Sequence, residues 1–99
     1  MSLNAIHCYA VFSSSYDRAM QKLHQLIEGR ENHLIRILRT PNRIEYLLEN
    51  ERWIWINPAL SPRGYRVHKA YIDRECSIEQ MKTCIKCMCQ GYFEEEEYF

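Results

Sequence analysis

Glycine is scarce in this chain, three residues of 99, and none lies where a phosphate-cradling loop would need it. Such a loop, G-x-x-x-x-G-K-[ST], neutralises phosphates with backbone N–H groups and a lysine. Its place, after a first strand and before a first helix, holds Phe12-Ser13-Ser14-Ser15-Tyr16-Asp17-Arg18, without glycine or lysine. Excess charge is missing as well. Thirteen basic and thirteen acidic residues cancel, so overall charge gives no argument for nucleic acid or membrane, and only local patches can. No run approaches the ~20 apolar residues of a membrane span, and no basic segment followed by an apolar signal core opens the sequence. We therefore expect a cytoplasmic protein without a membrane partner. No Ser/His/Asp or Cys/His catalytic order can be picked out either, because His7, His33 and His68 fall in three separate strands and His24 on a helix. There is no internal repeat.

What is present suits one modest core. Ninety-nine residues, 46% hydrophobic and with two tryptophans, allow one domain and exclude two. Five cysteines, four of them between positions 76 and 89, fit a reducing compartment better than a disulfide framework. Cys84 and Cys87 have the C-x2-C spacing of a zinc site, but they fall mid-helix and a second pair is missing. Free, partly buried thiols are the simpler expectation.

Residues 43–75 organise the chain. Ile44, Tyr46 and Leu48 alternate with Arg43, Glu45 and Glu49, which predicts a strand with one buried face. A turn at Glu49-Asn50-Glu51 leads into Arg52-Trp53-Ile54-Trp55-Ile56, whose tryptophans and isoleucines on opposite faces predict a core strand covered on both sides. Pro58 and Pro62 cannot continue a ladder. After Ser61-Pro62-Arg63-Gly64-Tyr65-Arg66, the run Val67–Ile72 carries Asp73 and Glu75 to a strand's C-terminal end, where open α/β sheets bind ligands. Strand alternation would turn both acids to one side and Arg74 to the other.

The order of hairpin, Ser-x-Arg-Gly-Tyr-Arg loop, apolar strand, Asp and Glu resembles the part of the bacteriophage large terminase ATPase domain that runs into its Walker B strand. Ser61, Arg63, Gly64, Tyr65, Arg66, residues 68–72, Asp73 and Glu75 carry the likeness. It implies that Asp73 holds magnesium and that Glu75 activates water, although here Arg74 separates the two acids. With no phosphate loop, the resemblance implies a reduced phage or bacterial-host relative that has lost hydrolysis.

The remaining segments read as packing. Residues 3–12 (LNAIHCYAVF) form an apolar strand buried on both faces, with His7 and Cys8 as filling. Ser13, Ser14 and Ser15 supply a helix N-cap that could also hold an anion. Ala19, Met20, Leu23, Leu26 and Ile27 make the apolar stripe of that helix, Arg18 lies on its solvated side, and Gly29 ends it. Residues 33–39 predict a strand, parallel to the first through a crossover. Ser77 and Gln80 cap a last helix with Ile78, Met81, Cys84, Ile85 and Met88 on its apolar face. Tyr98 and Phe99 after the glutamates could be a docking tip for a partner.

The fold expected is therefore a single α/β domain over residues 1–93, a mixed sheet of about five strands with two helices, similar to a reduced P-loop ATPase core. Residues 94–99 are expected to be a solvated acidic tail. For function we expect a small, non-catalytic protein that binds a protein or nucleic-acid partner through the hairpin and the Arg63-to-Arg66 loop. Arg63, Tyr65, Arg66, Trp53 and Trp55 are its candidate contacts. Arginines 36, 39, 43, 52, 63 and 66, interleaved with aromatic residues, have the makings of a nucleic-acid surface, but Glu45, Glu49 and Glu51 are at hand to pair with them. One alternative is Mg²⁺-nucleotide held between Ser14, Ser15, Asp73 and Glu75. Another is an assembly component that self-associates through the Trp-rich strand. The first reading needs no cofactor and the second needs Mg²⁺ and ATP.

Overall fold

The protein is represented by a computed structural model that describes residues 7–60, 67–77, 79, 81 and 93–99. Among the described residues six strands make one mixed sheet with one main helix on one face. In chain order these are β1 (His7–Phe12), α1 (Tyr16–Leu26), β2 (Leu34–Thr40), β3 (Arg43–Leu48), β4 (Glu51–Ile56), β5 (Val67–Ile72) and β6 (Phe93–Tyr98). Across the sheet the order is β2-β3-β4-β1-β5-β6. Strand β1 pairs in parallel with β4 on one side and β5 on the other, β6 adds in parallel to β5, and β3 runs antiparallel between β2 and β4.

Local chemistry accounts for most of these elements. Ser15, in an extended conformation, caps α1 by accepting from the Arg18 N–H, which satisfies one of the orphan donors of the first turn. Ala19, Leu23 and Ile27 recur at helical spacing and are buried, so the helix lays one stripe on the sheet. The helix ends at the Ile27 C-cap, and Gly29, at φ 85°, takes the left-handed conformation that turns the chain away two residues later. Strand β3 alternates buried Ile44, Tyr46 and Leu48 with partly exposed Arg43, Glu45 and Leu47. In β4 all four residues 53–56 are buried. Asn50, at φ 65°, makes the tight β3–β4 turn, a position that asparagine tolerates and β-branched residues do not.

The core has two halves. Under α1 lie Val11, Ile44, Tyr46, Leu48, Trp53, Trp55 and Tyr71. On the other face Cys8, Ala10, Phe12, Ile54, Ala70 and Ile72 pack with Met81. Both faces of β1 and β4 are thus covered, as expected of β1, whose two neighbours run parallel.

Two expectations change. The parallel pair formed by the first crossover is β1–β4, not β1 with the strand after α1. Strand β2 lies at the sheet edge, because β3 and β4 zip between them through two tight turns. Residues 93–98 are not a free tail but a sixth strand, and Lys69 meets Glu95 and Glu97 at 3.9 and 3.4 Å, offsetting their charge at the edge. The second helix lies largely outside the described residues. What is described of it is one helical bond, Met81 N–H to the Ser77 carbonyl at 3.0 Å, and a buried Met81.

Candidate functional site

Two connections diverge at the C-terminal ends of β1 and β5. After β1 the chain passes to α1 on one face, and after β5 it passes toward Met81 on the other. A crevice of this kind, where successive connections leave to opposite faces, is the usual ligand position in open α/β sheets. It brings together residues about sixty positions apart, which the β1–β5 register aligns at Phe12 and Ile72.

The centre of the crevice is Asp73, fully buried. Its Oδ2 accepts from Ser13 Oγ at 2.7 Å and from Arg18 Nε at 2.8 Å. Its Oδ1 accepts from Arg18 Nη2 at 2.8 Å and from the Glu75 N–H at 2.9 Å. Cys76 Sγ adds a long contact to Oδ2 at 3.4 Å. Burial pushes the carboxyl up, but hydrogen bonds from Arg18, Ser13, the Glu75 amide and Cys76 outweigh it and bring the pKa down to about 2. The fork-to-fork pairing holds the arginine too, whose pKa rises mainly through its hydrogen bond to Asp73. A guanidinium and a carboxylate in this bidentate arrangement are strongly coupled.

The serines are committed in the same way. Ser15 N–H donates to Ser13 Oγ at 3.0 Å and Ser14 N–H to Cys76 Sγ at 3.3 Å. The Ser13 carbonyl accepts from Trp55 Nε1 at 2.8 Å, a buried bond. Glu75 does not stand beside Asp73 as a second metal ligand. Its carboxylate is 72% exposed and meets Arg18 Nη1 at 3.3 Å from the solvent side, because β5 ends at Ile72 and the chain turns before strand alternation can align the two acids. A carboxylate offers about four lone-pair directions, and Asp73 spends all of them on protein donors. Among the described residues no group of three or more histidines, cysteines or acids lies close enough together to share a metal ion. A carboxyl held near 2 is also a poor general base at neutral pH, where an effective base needs a pKa close to the working pH. Chemically, the crevice is a latch that ties α1 to the end of β5.

The other candidates sort differently. Trp53 and Trp55 are core residues, 5% and 1% exposed, because their face of β4 is the one that α1 covers. They present no ring to a partner. Trp53 instead stacks on Tyr9 at 4.3 Å with Arg30 over it at 5.4 Å. These residues border a shallow hollow of about 580 Å³ at the opposite end of the strands. Its cations are paired, Arg30 with Glu51 at 2.7 Å and Lys69 with Glu97 at 3.4 Å. Arg43 and Arg52 both meet Glu45, at 2.7 and 3.2 Å, so for these two the pairing with nearby glutamate holds. Arg63, Tyr65, Arg66, Cys84 and Cys87, like Ser61 and Gly64, lie outside the described residues.

No family model, curated protein or solved structure matches the chain. The site must therefore be read from its own geometry.

Sequence reasoning missed Arg18, placing it on the solvated side of α1. One signal was available. A cation in a helix's first turn opposes the macrodipole, and Arg18 stands three residues after the Ser15 cap, a place that calls for a nearby acid.

A further feature lies on the far edge. Strand β2 has no described neighbour on its outer side, and Ile35 and Ile37 on it are 67% and 49% exposed, the exposed large hydrophobic residues of the described chain. Arg36 and Arg39 flank Ile37, with no acid between positions 34 and 40. No helix among the described residues is long and apolar enough to cross a membrane.

Proposed function

We propose that the protein acts by binding rather than catalysis, with the outer edge of β2 as the surface that receives a protein partner in extended form. The observation that carries this is the exposure of Ile35 and Ile37 on an edge strand. An edge presents unpaired N–H and C=O groups and is a template for an added strand. Main-chain bonds supply affinity in that mode, and alternate side chains supply specificity. Arginines beside the isoleucines favour an acidic partner strand, since opposite charges across a strand pair contribute roughly 0.2–1 kcal/mol each and like charges oppose. The hairpin first singled out for binding is β3-β4; this proposal moves the contact to β2, which pairs with β3, and retains the Arg63-to-Arg66 loop as a second contact.

The Mg²⁺-nucleotide alternative would require Arg18 to leave Asp73 before a cation could enter, against two hydrogen bonds at 2.8 Å. A partner-binding role needs no such rearrangement. The test is fluorescence anisotropy with a labelled ten-residue peptide of alternating valine and glutamate. Saturable binding that is lost in the Arg36→Glu/Arg39→Glu variant is expected. Equal binding by wild type and variant would remove β2 as the receptor.

A further inference from the structure

The two edges of the sheet carry opposite charge. Strand β2, LIRILRT, has two arginines and no acid. Strand β6, FEEEEY, has four glutamates and no base. They also run in the same direction, since β2 and β4 are each antiparallel to β3, and β4, β1, β5 and β6 follow one another in parallel.

We infer that β6 of one copy adds to β2 of the next, so that the protein associates head to tail into a continuous sheet. This rests on β2 being the docking edge and names its occupant. Because the two edges have the same polarity, a second copy set beside the first and rotated to follow the accumulated twist of the sheet brings β6 against β2 as a parallel pair, the pairing already used three times inside the sheet. Six residues of β6 meet seven of β2.

Among the described residues no strand pairs with the outer edge of β6. Phe99 donates its N–H to Ile72 and accepts from the Arg74 N–H, so its backbone groups face β5. By the two-residue period of a strand, Glu95 and Glu97 face β5 as well, and Glu96 turns its N–H and C=O outward. Glu95 and Glu97 remain 72% and 49% exposed despite their contacts with Lys69, so charge is left for Arg36 and Arg39.

Like-with-like pairing is disfavoured. Two β6 edges would set glutamates against glutamates, a standard device against edge-to-edge association. The joint is heterologous, so each copy has one donor and one acceptor edge, and growth stops only if the rotation closes a ring. The twist between neighbouring strands, roughly −20 to −25°, makes a helical or closed assembly the expected form.

The experiment is analytical ultracentrifugation of the full chain over rising concentration, in low salt and in 0.5 M NaCl, with two variants. Arg36→Glu/Arg39→Glu spoils the acceptor edge. Glu96→Pro removes an outward N–H from the donor edge without touching the β5 ladder, the place where an edge strand tolerates proline. Each variant's cooperative unfolding is checked first. The wild type is expected to exceed its 12.0 kDa monomer mass without stopping at a dimer, and to associate about tenfold more weakly in high salt. Each variant alone should be monomeric. An equimolar mixture should give a single species of twice the monomer mass, because one variant keeps an intact β6 and the other an intact β2.

A mixture that stays monomeric would overturn the inference, and so would Glu96→Pro alone forming a dimer, which would mean β2–β2 pairing. A monomeric wild type that still binds the valine-glutamate peptide at β2 would also overturn it while leaving the docking reading in place. If peptide binding is absent as well, both fall.

Discussion

Replacing Asp73 by asparagine tests the latch directly. The side chain keeps its size and loses its charge, so the bidentate ion pair with Arg18 is reduced to hydrogen bonding from the guanidinium to a single uncharged amide oxygen. The carboxyl's fall from the ordinary 3.8 to about 2 sets a scale. Each tenfold change in proton affinity is worth ~1.4 kcal/mol, which gives about 2 kcal/mol of folding stability tied to the ionised form. Breaking a buried pair outright costs roughly 3–5 kcal/mol, but Arg18 is 34% exposed and has Glu75 within reach, so it can turn outward. A loss of about 2–3 kcal/mol is expected, which for a domain of this size lowers Tm by roughly 10–20 °C. Urea unfolding followed by tryptophan fluorescence is the assay, with Trp55 bonded to the Ser13 carbonyl beside the site. The pH dependence checks the cause. A group with a depressed folded pKa stabilises above its unfolded pKa and loses that contribution as pH falls through the folded value. Wild type should therefore lead Asp73→Asn by the full amount at pH 7, and the gap should narrow between about pH 4 and pH 2. Equal stability at pH 7, or a gap indifferent to acid, would refute the reasoning.

Two further outcomes follow from single positions. Burial raises the Cys8 thiol to about 11, with the Arg52 charge lowering it in part, so at pH 7–8 Cys8 should resist iodoacetamide in the folded protein and react in urea, as read by peptide mass spectrometry. Half-buried Cys76 should be alkylated before Cys8 does. At the β3–β4 turn, Asn50→Val should cost about 1–2 kcal/mol, because a β-branched residue is strained at φ 65°. Asn50→Gly, free of that strain, should fall within ~1 kcal/mol of wild type. Equal urea midpoints for the valine and glycine variants would contradict the turn geometry.

Much of this molecule is readable from residue order because its signals are local. Alternation at Ile44, Tyr46 and Leu48 marks a strand with one wet face, and the unbroken Trp-Ile-Trp-Ile run marks one with none. Ser15 caps the start of α1 and Gly29 turns the chain just past its end, both through chemistry that operates within a single turn. The convergence of the Ser13 loop with Asp73 at a strand end was also foreseeable, since parallel strands align their C-terminal ends. What only the tertiary structure decided is whatever depends on which strands become neighbours. The row of glutamates in β6 has the composition of a solvated tail and forms a strand because β5 offers an open edge with Lys69 to offset the charge. Trp53 and Trp55 carry the same side-chain chemistry whether they face a partner or a helix, and α1 lies on their side of the sheet. Asp73 pairs with Arg18, fifty-five positions earlier, a partner that its place at a strand end does not announce. Pairing over such separations is set by packing and loop closure rather than by local preference, and so it is the fold, not the order of residues, that brings Arg18 onto Asp73.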